Sequence, residues 1–201
     1  MKISVFGVST IALSLVAGLS FAQQPMEGVH YEALNEPYGV GEGTVISIFS
    51  PACPHCYRLE KPLGDWIEEG GYQLERMPFF HEDRWVEASR LILAMQATEN
   101  DGEELIAALF DAIHEGDVDE EDGNALLSSL PVDAETRAAI DGALGSNEVS
   151  DQESQIRAWL EENRIVVVPT VVVNDHFFSD PARSRGNDNL ILLLDYIASR
   201  Q

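Results

Sequence analysis

The chain has 201 residues, 45% of them apolar, which is enough to bury one core of ordinary size and excludes wholesale disorder. Asp and Glu number 35 against 12 Lys and Arg, a formal net charge of −23 at pH 7. So strong an acidic excess excludes nucleic acid and anionic membrane surfaces as partners.

Met1-Lys2 sets a positive charge ahead of a short apolar run over 3–16, and Ser20-Phe21-Ala22 puts small residues at the first and third positions before a cut. Residues 1–22 therefore read as a cleaved signal peptide rather than a membrane anchor, which sends the mature chain to an oxidising compartment. No later run is long and apolar enough to span a bilayer.

Residues 23–43 are polar and carry Pro37, Gly39, Gly41 and Gly43, an extended lead-in with one short edge strand near 29–34. Thr44–Phe49 is apolar on both faces, as a central strand should be. It runs into Ser50-Pro51-Ala52-Cys53-Pro54-His55-Cys56-Tyr57-Arg58, which holds both cysteines of the chain. A strand that ends in Cys-x-x-Cys and passes into a helix is the sequence form of a thiol–disulfide redox site. A purely structural disulfide over so short a loop constrains little of the unfolded chain. Cys53 falls at the N-cap and Pro54 at the first helical position, where the missing N–H costs nothing. Leu59, Leu63, Trp66 and Ile67 share one helical face, Pro62 predicts a kink, and Gly70-Gly71 predicts the end. Residues 72–80 read as the next strand.

From 82 to 147 the strand signals stop. Trp85, Ala88, Leu91, Ile92 and Met95 form one helical stripe. Leu105, Leu109, Phe110 and Ile113 form a second; Leu126, Leu127 and Leu130, stopped by Pro131, suggest a third; 134–144 is a fourth. Gly102, Gly116, Gly123 and Gly145 mark the breaks, and the periodic apolar positions are core. Ser150-Asp151-Gln152-Glu153 has capping-box form ahead of Ile156, Trp159 and Leu160. Residues 164–173 are a β-branched run broken by Pro169; Asn174-Asp175 signals a two-residue turn, with His176-Phe177-Phe178 returning as a hairpin partner. Ser179-Asp180-Pro181 reads as a turn and 190–197 as a last amphipathic helix.

Cys53-Pro54-His55-Cys56-Tyr57 resembles the active site of the DsbA family, the exported thiol–disulfide oxidases of Gram-negative bacteria. Val168-Pro169-Thr170, followed by Val172-Val173-Asn174, resembles that family's second signature, a cis-proline loop leading into a hairpin. The resemblance implies an α/β class, a thioredoxin-like fold with an inserted all-helical domain. Its parts would be a signal peptide at 1–22, a first thioredoxin-like part at 23–81, the helical insertion at 82–149 and a second thioredoxin-like part at 150–201. Two departures stand out. Ser47 aligns where many members carry a buried acid, which leaves proton handling to water or to a residue such as Glu75. Pro51-Ala52 replaces bulkier residues before the first cysteine.

At a helix N-terminus a Cys53 thiolate faces free backbone N–H groups and the positive end of the helix dipole. His55 adds a positive charge or a hydrogen bond. Both depress the Cys53 pKa, an effect for which the DsbA family is itself the familiar example. Cys53 is thus expected to be the accessible, nucleophilic sulfur and Cys56 the more buried resolving thiol of a Cys53–Cys56 redox disulfide. From the residues alone the Val168–Pro169 bond is either cis or an ordinary trans strand start; the resemblance implies cis, and a platform of Val168, Pro169 and Thr170 for an extended client segment. Thr170 is either a groove contact or a strand former. His30, His114 and His176 read as surface or cap residues. No metal site and no cofactor is called for. The resemblance implies folding exported proteins with cysteine pairs as clients, a DsbB-like quinone-linked membrane oxidase as partner, and a periplasmic monomer. A reductase or isomerase of the same fold, a thiol metal carrier and a peptide-binding chaperone are the alternatives.

Overall fold

The computed structural model describes residues 24–80 and 83–200. The expected signal peptide at 1–22 and the side chain of His81 lie outside the described residues.

The β-branched runs build one mixed five-stranded sheet in the order β1-β5-β4-β2-β3. Strand β1 is Glu32–Ala33, β2 Thr44–Phe49, β3 Gln73–Pro78, β4 Thr170–Val173 and β5 Phe177–Ser179. All six residues of β2 are buried, as its two-faced apolarity requires. It lies parallel to β3 and antiparallel to β4; β5 then pairs antiparallel with β4 and with the edge strand β1.

Alternation along the strands divides the core between the two faces. Val45, Val171 and Val173 face helix α1 (Pro54–Gly70), with Leu59, Leu63, Trp66 and Ile67, and the C-terminal helix Asn187–Ala198, with Leu190 and Leu194. Ile46, Ile48 and Val172 face a helical block. That block is α2 (Val86–Ala97), α3 (Glu103–His114), α4 (Gly123–Ser129), α5 (Ala134–Leu144) and α6 (Asn147–Glu162). Helix α2 is its centre: Leu91 to Met95 are buried in an unbroken row, because α4, α5, α6 and β3 enclose it. The α/β class with helices inserted between β3 and β4 is what the chain forms. Among the described residues no helix is long and apolar enough to cross a membrane.

Helix α1 runs through Pro62 and ends where Gly70-Gly71 predicts, at Gly71, left-handed at φ 66°, whose N–H reaches the Glu68 carbonyl at 3.2 Å. Other expectations shift. On α3 the deep positions are Ile106, Leu109 and Phe110, while Leu105 and Ile113 are half-buried. Helix α6 starts one turn before 150–153. Ser146 is its cap and accepts from the Val149 N–H at 3.2 Å, while Ser150 donates back to the Ser146 carbonyl. The earlier start brings Val149 onto the buried face two turns before Ile156. Thus α6 runs across the 149/150 position expected to separate two parts.

The 164–173 run forms a strand only after Pro169, which cannot donate to a ladder; Val166 and Val167 stay 59% and 46% exposed. Asn174 and Asp175 both turn left-handed, at φ 56° and 55°, but His176 belongs to the turn and β5 begins at Phe177. Where a turn was expected at 179–181, Asp180 caps a short helix α7, Pro181–Ser184; the C-terminal helix is α8.

Candidate active site

The site is built where β2 hands over to α1. Ser50 is fully buried and closes the turn twice: its carbonyl accepts the Cys53 N–H at 3.0 Å and its Oγ the Ala52 N–H at 3.3 Å. Cys53 is then the N-cap in extended conformation (φ −88°, ψ 115°), with Pro54 at the first helical position. The capping atom is a sulfur: Cys53 Sγ accepts from the Cys56 N–H at 3.4 Å. The thiol therefore sits at the positive end of a 17-residue helix.

Both cysteines are free thiols. The Cys53 pKa falls from the usual 9.0 to about 7. The largest cause is a hydrogen bond from the Cys56 thiol; the backbone N–H groups of Cys56 and His55 and the Arg58 guanidinium add to it, while burial opposes. Cys56 moves the other way, pushed well up by burial and then by its neighbour Cys53. One expectation needs correction. Cys53 is not an openly accessible sulfur: it is 3% exposed against 1% for Cys56. Its Sγ lies 3.8 Å from the Val168 carbonyl, which covers it from the side of β4. What separates the two thiols is the set of donors around Cys53, not surface area.

The Val168–Pro169 bond is cis, and the loop lies against Cys53. Val167, Val168 and Pro169 line a groove of about 500 Å3 together with His55 and Arg58. Thr170 does not line it. Its hydroxyl donates to the Val167 carbonyl at 2.8 Å, and the residue is 1% exposed, so it ties the loop from beneath. His55 is exposed; its Nδ1 meets Arg58 Nη2 at 2.9 Å.

Three neighbours of the site escape sequence reasoning. His114, read as a surface or cap residue, donates from Nε2 to the Pro51 carbonyl at 2.8 Å and stacks on Tyr57 at 4.8 Å. The Tyr57 hydroxyl in turn meets Glu115 at 2.6 Å and Asp111 at 3.1 Å; these carboxylates hold the phenol protonated by pushing its pKa up. The active-site turn is thereby latched to α3 of the helical block. The only trace of this in the sequence is the Phe110–His114 pair, four apart on one helical face. Third, Arg76, nine-tenths buried, pairs with Glu60 at 2.8 Å and Glu103 at 2.6 Å. Burial raises the Glu60 pKa and Arg76 partly offsets it. Glu60 is the carboxylate whose charge reaches Cys56 and helps keep it protonated. Glu75, the expected substitute for an acid at Ser47, is exposed on β3; its pKa is raised by partial burial and then by Asp101, and it touches neither thiol's balance. Ser47 itself is buried.

A family model described as thioredoxin matches residues 41–191. The chain belongs to this thioredoxin family. Among curated proteins it is similar to the thiol:disulfide interchange protein DsbA of Burkholderia cepacia, 27% identical over 94% of this chain and 93% of that one. It is also similar to DsbA of Pseudomonas syringae pv. tomato, 23% identical over 100% of this chain and 96% of that one. In fold it matches the crystal structure of Pseudomonas aeruginosa DsbA with a TM-score of 0.76, at 22% identity, covering 89% of this chain and 95% of that chain. DsbA from Xylella fastidiosa gives 0.74 at 24% identity, covering 88% and 97%. Within the thioredoxin family it is similar to DsbA proteins in sequence and, at a TM-score of 0.76, in fold.

Proposed function

We propose that the chain is a DsbA-like thiol:disulfide oxidoreductase that donates the Cys53–Cys56 disulfide to cysteine pairs of exported proteins. The observation that carries this is the opposition of the two thiols: Cys53 lowered to about 7, Cys56 pushed up. Stabilising the Cys53 thiolate stabilises the reduced pair, and a stable reduced pair makes its disulfide an oxidant.

The exchange is two displacements. A client thiolate attacks Cys53 Sγ of the oxidised pair; an S–S bond forms to the client, the Cys53–Cys56 bond breaks, and Cys56 leaves with the electron pair. Burial favours the protonated Cys56 thiol, so it takes up a proton as it leaves. The client's second thiolate then attacks its own sulfur in the mixed disulfide and expels Cys53 as a thiolate. The client dithiol is oxidised by two electrons, and the Cys53–Cys56 pair is reduced. In this reading Pro54 starts the helix that faces the thiolate, His55 contributes its N–H, and Val168 and Pro169 carry the extended client segment, with Thr170 holding that loop. Exposed Val166 and Val167 extend the same apolar edge. A DsbB-like, quinone-linked membrane oxidase would return the pair to the disulfide. The protein would act as a monomer in the periplasm after loss of residues 1–22.

The test is single-turnover oxidation. Oxidised mature protein mixed with a dithiol peptide should yield one peptide disulfide per protein. Reduced Cys56→Ser mixed with the disulfide form of the peptide should instead accumulate a mixed disulfide, the Cys53 thiolate attacking the peptide disulfide and releasing one peptide thiol, and Cys53→Ser should give neither product. Client peptide that stays fully reduced with wild-type protein, under conditions where the protein's own disulfide is intact, would sink the donor reading.

A further inference from the structure

The positive charge beside Cys53 has two candidate owners, His55 and Arg58. Arg58 lies one turn into α1, and its side chain bends back towards the N-terminus, as helical side chains do. Its Nη2 stands 2.9 Å from His55 Nδ1. A guanidinium is always protonated and has no acceptor, so Arg58 must be the donor in this contact. Nδ1 then presents its lone pair, and the ring proton sits on Nε2. A second ring proton would aim N–H at N–H and cation at cation. In this arrangement the imidazole is neutral.

The surrounding charges leave Arg58 unopposed. Among the described residues it makes no ion pair. Lys61, one turn further on, is bound to Asp65 at 2.7 Å. Asp180 is the carboxylate that shares the groove with Arg58. It is occupied by the N–H groups of Ala182 and Arg183 at 2.8 and 3.0 Å and by the Arg183 side chain at 3.0 Å. Glu60 is held by Arg76. Arg58 also lines the client groove beside His55, Val168 and Pro169.

We infer that Arg58, not His55, is the cation that stabilises the Cys53 thiolate, and that it holds His55 as a neutral Nε2–H imidazole over the client groove. Arg58 is thus a positioning residue for the exchange, acting on the reacting sulfur through its charge and on His55 through a hydrogen bond. The electrostatics agree: the Arg58 guanidinium lowers the Cys53 pKa through its charge, while His55 acts on it through its backbone N–H. The inference rests on the redox reading of the Cys53–Cys56 pair.

The experiment titrates the thiolate absorbance of the reduced mature protein in four forms: wild type, His55→Leu, His55→Leu/Arg58→Gln and His55→Leu/Arg58→Lys. Working in the His55→Leu background prevents a freed imidazole from taking over the charge. Arg58→Gln should raise the Cys53 midpoint by roughly half a pH unit, about threefold less thiolate at pH 6, and Arg58→Lys should restore it. The shift should shrink in high salt. In wild type, the nitrogen resonances of His55 should show Nδ1 as the unprotonated atom. The same midpoint in the Gln and Lys variants, or a proton on Nδ1 in wild type, would overturn the inference. If the midpoints move as expected while the pair proves strongly reducing against glutathione, the Arg58 assignment stands and the donor reading fails.

Discussion

The largest single support of the Cys53 thiolate is the hydrogen bond from the neighbouring Cys56 thiol. Replacing Cys56 by Ala removes that donor but keeps the helix, since position 56 lies inside α1 and Ala is the best helix former. Two backbone donors remain, the N–H of residue 56 at 3.4 Å and that of His55, together with the Arg58 charge. Wild-type Cys53 stands about two pH units below its usual 9.0. Losing the leading contribution should raise the midpoint by about one pH unit, roughly a tenfold loss of thiolate at pH 6. Cys56→Ser keeps an O–H donor in the same place and should stay close to wild type. The assay is thiolate absorbance against pH, checked by the rate of alkylation of Cys53. If Cys56→Ala and Cys56→Ser titrate together at the wild-type midpoint, the thiol–thiol hydrogen bond is not what holds the pKa down, and backbone and dipole carry it all.

The reduced form should show a matching pH dependence of stability. A depressed Cys53 pKa contributes stability that is fully present above pH 9 and lost as pH falls through about 7, at most about 2 kcal/mol. The raised Cys56 pKa works in the opposite sense and takes stability away above pH 9. Urea unfolding of the reduced protein should therefore peak near pH 9; a flat profile from pH 6 to 9 would contradict the thiolate assignment. Arg76→Met should leave the Glu60 carboxylate buried without its partner and cost about 3 kcal/mol at pH 7, with much of the loss recovered near pH 4 when Glu60 is protonated. Equal losses at both pH values would show that Arg76 matters for packing only. Asp175→Ala should cost about 3 kcal/mol, because the carboxylate accepts the N–H groups of Tyr38, Gly39 and Val40 at 2.6, 2.6 and 3.1 Å. Faster hydrogen exchange confined to residues 38–40 would locate the loss; an unchanged exchange pattern would refute it.

What was legible in the sequence was local. Strand β2, the Cys53 cap, Pro54 at the helix start and the Gly71 stop each depend on neighbours a few residues away, and each lies where its chemistry puts it. The site's supports were not legible, because they join distant segments. His114 reaches Pro51 across 63 residues, and Arg76 gathers Glu60 and Glu103 from two helices. A histidine near a helix end looks the same in sequence whether it meets solvent or a buried carbonyl. The Ser146 cap is not legible for a different reason: Ser146 and Ser150 are both good N-cap residues and only Ser150 completes a capping box, with Glu153, so the local rule favours the later start, and the burial of Val149 selects the earlier one. The Arg58–His55 contact was within reach, since i, i+3 pairs meet on a helix, but its sign is clear only from which ring nitrogen faces the guanidinium.

The redox equilibrium of the Cys53–Cys56 pair against glutathione, measured on purified mature protein, decides the direction of the chemistry. A thiolate stabilised at the head of α1 predicts a pair much more oxidising than glutathione, and increasingly so as pH rises from 6 to 8. A pair more reducing than glutathione would contradict it, and the same motif would then draw electrons from a donor instead of passing a disulfide to clients.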